Sequence, residues 1–187
     1  VGASAYVMSL SLCSWFDWYS GGPQCDEGTH MEDGSCVADA VEHNDGETLG
    51  TSVLIDTKGR QLSLCLDGLT VERFPVGLGE EGVGKTKQGD LKTPIGTYRL
   101  GRPRKFGRAF NLVIPVKYPT SRQRKQGYTG GAIGVHGPQR DFAEWPERTY
   151  GTQDWTEGCI AVGSDEEIER ISSWVKDHKV RDVHNTG

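Results

Sequence analysis

The chain has 187 residues, and its 21 Lys+Arg against 26 Asp+Glu give a formal net charge of −5, a balance that argues against a nucleic-acid binder. That length holds one domain of ordinary size and a small appendage. With 35% hydrophobic residues and 26 glycines, the composition suits short strands joined by many turns better than a helical bundle. Basic residues nevertheless cluster at 99–108 and again at 122–125, either as solvated loop faces or as contacts for an anionic polymer.

Residues 1–20 are apolar and uncharged until Asp17, though interrupted by Ser4, Ser9, Ser11 and Ser14. The stretch reads either as the remnant of a signal peptide or membrane anchor, or as an N-terminal strand or helix lying on the domain. Between 21 and 50 the composition shifts to Gly, Asp, Glu and Asn, the mark of a linker. Within it Cys25 and Cys36 enclose a polar loop too poor in apolar residues to hold a shape by burial, so a disulfide and an oxidising compartment are expected. The other cysteines are Cys13, Cys65 and Cys159; the odd total of five leaves at least one unpaired thiol, which fits a nucleophile. Cys13 and Cys65 are either free and buried or paired with partners the sequence does not identify. Cys-x-x-Cys is absent and the histidines are scattered, so neither a metal site nor any cofactor is expected.

A compact domain is expected over 51–180, with 181–187 as a tail. Residues 52–56 and 60–66 flank a Lys58-Gly59 turn, and Leu62, Leu64 and Leu66 alternate with Ser63 and Cys65 at the period of a half-buried strand. A third strand over 70–76 follows the Asp67-Gly68 turn, completing an antiparallel meander. Residues 77–92 carry glycines at 77, 79, 82, 84 and 89 beside several lysines. The run Gly79-x-x-Gly82-x-Gly84-Lys85-Thr86 lacks the gap of a phosphate-binding loop and no strong helix follows it, so nucleotide binding is not expected. Thr93-Pro94-Ile95-Gly96 fixes the chain, and strands over 97–100 and 111–116 follow.

Residues 117–131 are basic and carry Tyr118 and Tyr128, which either line a substrate groove or pack at a sheet edge. A strand over 132–136 delivers His136. Residues 138–155, with Trp145, Tyr150 and Trp155, form an insert whose aromatics argue for a lid or wall rather than disorder. Ser164-Asp165-Glu166-Glu167 is a capping box opening a helix to about residue 176, with Ile168, Ile171, Trp174 and Val175 on one face.

Chemistry concentrates at two short runs, Ile133-Gly134-Val135-His136-Gly137 and Thr156-Glu157-Gly158-Cys159-Ile160-Ala161-Val162. Each sets a reactive side chain at a strand end among small and β-branched residues. A thiol is a few per cent ionised at neutral pH, and a neighbouring imidazole can take its proton, so Cys159 is the candidate nucleophile and His136 the candidate base. The N–H groups of Cys159 and Gly158 would face a developing oxyanion, while Gly137 borders the imidazole. Thr156 either holds the loop or bonds the imidazole. Glu157 either orients a substrate amine or His136, or is a solvated carboxylate.

His136-Gly137 followed by Thr156-Glu157-Gly158-Cys159, preceded by Gly89-Asp90-Leu91-Lys92-Thr93-Pro94-Ile95-Gly96-Thr97-Tyr98, resembles the signature of the L,D-transpeptidase catalytic domain, the YkuD-like family of cell-wall enzymes. The resemblance runs from near Ser52 onward. It implies a mainly β fold, a β-sandwich of mixed sheets with one C-terminal helix and a long lid loop, in which Trp155, Tyr118, Tyr128 and Glu157 are candidate substrate contacts. It also implies export to the periplasm or cell envelope and action on peptidoglycan stem peptides, in wall biogenesis and cell shape. The donor would be cut after the L-centre of a diamino acid and passed to an amine to form a cross-link, or to water in a carboxypeptidase or endopeptidase. Two departures stand out: the commonest form of the motif has His before Gly-Cys and Arg two residues after the Cys, where this chain has Glu157 and Ala161. A Gly-Cys-x-Ala form occurs in a branch of the family that includes cleaving as well as cross-linking members. The same departures keep open a wall-binding module without catalysis.

Overall fold

A computed structural model describes residues 29–32, 35–38, 50–107, 109–140 and 150–187. The apolar stretch 1–20, Cys13, residues 141–149 of the 138–155 insert with Trp145, and the Cys25–Cys36 disulfide lie outside the described residues or side chains. Within the expected linker, β1 (Thr29–Glu32) and β2 (Ser35–Ala38) pair antiparallel in a sheet of their own.

The domain opens with the expected meander: β3 (Ser52–Asp56), β4 (Gln61–Leu66) and β5 (Leu69–Gly77) pair antiparallel. Asp56 Oδ1 accepts the N–H groups of Lys58 and Gly59, each at 3.0 Å, and so turns the first hairpin. There follow β6 (Gly96–Arg99), β7 (Arg104–Phe106), β8 (Phe110–Pro115), the short helix α1 (Ser121–Lys125), β9 (Gly134–His136), β10 (Ile160–Val162), α2 (Asp165–Asp177) and β11 (Asp182–Thr186). Strand order in the single nine-stranded sheet is β6-β11-β3-β4-β5-β10-β9-β8-β7. Pairing is mixed, with β9–β10 and β11–β3 parallel.

The sheet curls back on itself. Leu100 bridges Val116, the Gly101 N–H donates to Pro115 O at 2.6 Å, and the Lys117 N–H donates to Arg99 O at 2.8 Å, drawing the end of β6 against the end of β8. Inside lie Ile55, Leu62, Leu64, Val76, Ile114, Val135, Ile160 and Val183, closed over by Ile168, Ile171 and Val175 of α2. Each such aliphatic side chain taken from water contributes about 1.5–3 kcal/mol. The fold is therefore mainly β with one C-terminal helix of length, as the composition and motifs imply.

Two local readings change. Residues 181–187 are not a tail: β11 enters the sheet between β6 and β3. The capping box of α2 is half made, because Ser164 Oγ accepts the Glu167 N–H at 3.2 Å while Glu167 Oε2 reaches past the cap to the Gly163 N–H at 2.7 Å. Of the alternatives left open for Cys65, it is fully buried and disulfide-bonded. Among the described residues no helix is long and apolar enough to cross a membrane.

Candidate active site

β9 and β10 bring the two reactive residues together. Their parallel register sets Ile160 beside Val135 and Ala161 beside His136. Side chains alternate along a strand, so Cys159, two residues before Ala161, lies on the same face as His136. Such diagonal neighbours have backbones about 7–8 Å apart.

The imidazole is held on three sides. Phe110 lies against it at a centroid distance of 4.0 Å, and Trp155 meets it edge-on at 5.7 Å. Its Nδ1 is 2.7 Å from Gly137 O. A carbonyl can only accept, so Nδ1 carries the proton and Nε2 presents the lone pair, the tautomer a general base requires. Only 2% of His136 is exposed, and burial lowers its pKa to about 4 against the opposing effect of the Gly137 carbonyl. The ring is thus neutral, and able to take a proton, at any pH above about 4.

Cys159 is a free thiol, partly exposed, whose Sγ donates to Ala132 O at 3.5 Å. Burial raises its pKa; a hydrogen bond from the Gly134 backbone opposes this, the charge of Glu157 adds to the rise, and the charge of Lys85 counters it. Imidazole and thiol therefore rest as a neutral pair rather than as an ion pair.

The turn before Cys159 is built by one hydroxyl. Thr156 is buried; its Oγ1 donates to Cys159 O at 2.7 Å and accepts the Gly158 N–H at 3.1 Å. Thr156 holds the loop, and its partners do not include the imidazole. Taking up the Gly158 N–H also removes one of the two donors expected to face an oxyanion, whereas the Cys159 N–H has no acceptor among the described residues. Gly158 itself is dictated twice, by φ of +120° and by Lys92 O, which lies 2.4 Å from where a Cβ would stand.

A second loop braces this turn. Thr93 Oγ1 donates to Cys159 O at 3.4 Å and accepts the Gly79 N–H at 2.9 Å, while Thr93 O receives the N–H groups of Gly84 and Lys85. Lys85, from the run that mimics a phosphate loop, is 4% exposed, and its Nζ meets Asp90 Oδ1 at 2.6 Å. Asp90 also accepts the N–H groups of Thr86 and Lys87, each at 2.8 Å, and these contacts hold its carboxyl well below the usual range despite desolvation. Sequence reading missed Lys85, Thr93 and Phe110 as parts of the site. Only Thr93, inside the Thr-Pro-x-Gly segment, carried a signal.

The remaining candidates divide. Trp155 walls the imidazole and is pinned by its Nε1–H to Tyr150 O at 3.0 Å; Gly77 admits this segment, since a Cβ there would lie 2.2 Å from Gln153 O. Gly137 is buried against Asp165 and Ile168 at the start of α2. Glu157 is exposed on the rim. Tyr118 is not a groove residue: it is 4% exposed in the core, its O–H donates to Lys85 O at 3.0 Å, and burial raises its pKa to about 12. Tyr128 is half-buried against the same core. Ala161 is fully buried between His136 and Gly77, with no space for the arginine of the commoner motif. No group of His, Cys, Asp and Glu among the described residues has the arrangement of a metal site.

The sequence profile described as "YkuD: L,D-transpeptidase catalytic domain" matches residues 50–183. The chain belongs to this family. The crystal structure of the helical cell shape determining protein Pgp2 from Campylobacter jejuni is 30% identical with a TM-score of 0.59, over 71% of this chain and 46% of that one. That of Bd1075 from Bdellovibrio bacteriovorus is 21% identical with a TM-score of 0.50, over 71% of this chain and 46% of that one, a likeness of fold. This L,D-transpeptidase domain thus spans under half the length of those two structures. No curated protein matches the sequence.

Proposed function

We propose that Cys159 and His136 carry out acyl transfer on peptidoglycan stem peptides in the cell envelope. The observation that supports this most is the β9–β10 register, which sets thiol and imidazole on one face. The Cys159 thiol gives its proton to Nε2 of His136 as the sulfur attacks the amide carbonyl. The carbonyl oxygen, now negative, is met by the Cys159 N–H. The C–N bond then breaks, His136 returns the proton to the departing terminal residue, and a thioester remains. An acceptor amine attacking the thioester, with His136 again taking the proton, frees the sulfur and forms a cross-link. Water in the same place makes the protein an L,D-carboxypeptidase or endopeptidase, and Ala161 matches the Gly-Cys-x-Ala form of a branch that includes both cleaving and cross-linking members. The likeness to Pgp2 supports a part in determining cell shape.

The products decide. Incubated with purified tetrapeptide muropeptides and followed by mass, the protein is expected to give cross-linked dimers, whereas tripeptide alone would identify hydrolysis. Neither product, with an unreactive Cys159 thiol, would leave a wall-binding module and overturn the catalytic reading.

The charges around the sulfur make a test of opposite signs. Glu157 raises the thiol pKa and Lys85 lowers it. Glu157→Gln is therefore expected to move the pH profile of Cys159 alkylation by iodoacetamide to lower pH, and Lys85→Met to move it to higher pH. Displacement of both profiles in the same direction would show that loop distortion rather than charge governs the thiol.

A further inference from the structure

The two basic stretches of the sequence, apart along the chain, converge where the sheet closes. Arg99 at the end of β6, Lys117 just beyond β8 and Arg124 on α1 line a cavity of about 430 Å³ together with Thr120, Ser121 and Asp182. The lining holds three cations against one carboxylate, in a chain whose net charge is −5. Asp182 is answered by Arg99, whose Nε lies 3.5 Å from Oδ1. Lys117 and Arg124 face no carboxylate among the described residues.

Arg124 is also held in place. Its Nε and Nη2 both donate to Pro119 O, at 3.1 and 2.9 Å, which fixes the plane of the guanidinium and leaves three of its five N–H donors for another partner. Thr120 Oγ1 accepts the Gln123 N–H at 3.2 Å, so its own O–H is available as a donor. Guanidinium, ammonium and hydroxyl donors around one hollow are the groups that recognise carboxylate and phosphate oxygens, and the fixed guanidinium of Arg124 lowers the ordering cost of binding.

The cavity and the reactive residues are linked through neighbouring backbone segments. The Val116 N–H, next to Lys117, donates to Ile133 O at 2.8 Å, and the preceding Ala132 carbonyl is the one that receives the Cys159 thiol. We propose that this cavity is an anion-binding subsite that holds a carboxylate or phosphate group of a polymeric ligand. Its position along a substrate's path rests on the catalytic reading of Cys159; its capacity to bind an anion does not.

The test is direct binding, by calorimetry and NMR, of two probes: a galacturonic acid oligomer as the carboxylate source and tripolyphosphate as the phosphate source. Binding is expected at low salt, weakening as salt rises, with about a ten-fold loss of affinity for Lys117→Gln and again for Arg124→Gln. The exposed Arg104 of β7 lies outside the cavity, and Arg104→Gln is expected to bind as the wild type does. Response to only one probe identifies the anion and supports the site. The proposal is overturned if neither probe binds, if Lys117→Gln binds as tightly as the wild type, or if Arg104→Gln weakens binding as much as the cavity substitutions do. Cys159→Ala is expected to bind both probes unchanged, so a failed catalytic reading would leave this result standing.

Discussion

Cys159→Ala is expected to lose both cross-linked and hydrolysed products, together with any covalent adduct with a carbapenem, while keeping its melting temperature. The sulfur forms the bond on which every later step depends, and the thiol is the free one among the described residues. Removing a nucleophile that acts as one unit with its base typically costs on the order of 10⁴-fold or more in kcat. Because Cys159 is partly exposed and its polar side-chain contacts are to the backbone of Ala132 and Gly134, truncation is expected to remove little packing, so that folding and chemistry separate. His136→Asn is expected to give a comparable loss with the sulfur intact, since an amide in that clamp between Phe110 and Trp155 offers no lone pair of adequate basicity. Product formation by Cys159→Ala, measured by mass on tetrapeptide muropeptides, would refute the mechanism.

Gly158→Ala is expected to be the most damaging single-methyl change in the site. At φ of +120° an alanine is strained, and its Cβ would lie 2.4 Å from the Lys92 carbonyl oxygen, a backbone atom held by its own loop. Strain and overlap together amount to roughly 3–5 kcal/mol. For a chain of this length that corresponds to a fall of about 10 °C in melting temperature. The turn can escape only by withdrawing from Lys92, which would break the Gly158 N–H bond to Thr156 and swing Cys159 away from the Ala132 carbonyl. Alkylation of Cys159 should therefore change along with stability. Gly50→Ala, where a Cβ meets nothing within 4 Å, serves as the control. A Gly158→Ala protein that melts with the wild type and alkylates at its rate would show that the turn is not constrained as described.

The departures from the commoner family motif have a structural setting. Ala161 is enclosed by Gly77 on β5 and His136 on β9, and Gly77 is itself covered by the backbone of residues 150–153. A long cationic side chain has no exit there. A charge from a different loop, Lys85, which is buried and paired with Asp90, lowers the thiol pKa against the larger effect of burial. A buried ion of this kind persists only when paired, which is why the two residues occur together in one tight loop.

The sequence by itself determined the strands whose apolar residues alternate, Leu62 and Leu64 among them, the helix with Ile168, Ile171 and Val175 on one face, and the identity of the thiol and imidazole. It did so because burial is written into local periodicity and reactive residues into short motifs. β11 was not legible, since its buried positions are Val183 and Asn185, and the latter donates its amide N–H to Pro94 O at 2.9 Å instead of adding an apolar beat. The five polar residues of α1 likewise have no apolar face to read. The place of Tyr118, groove or packing, stayed open because an aromatic in a basic loop carries no sign of whether its hydroxyl will find an internal carbonyl. Only the tertiary structure decided that β9 and β10 lie parallel with thiol and imidazole on one face, that Lys85 reaches the sulfur's field, and that Arg99, Lys117 and Arg124 share one hollow. Strand partners and charge neighbours are set by contacts between distant segments, and no local pattern of residues encodes which segment will arrive.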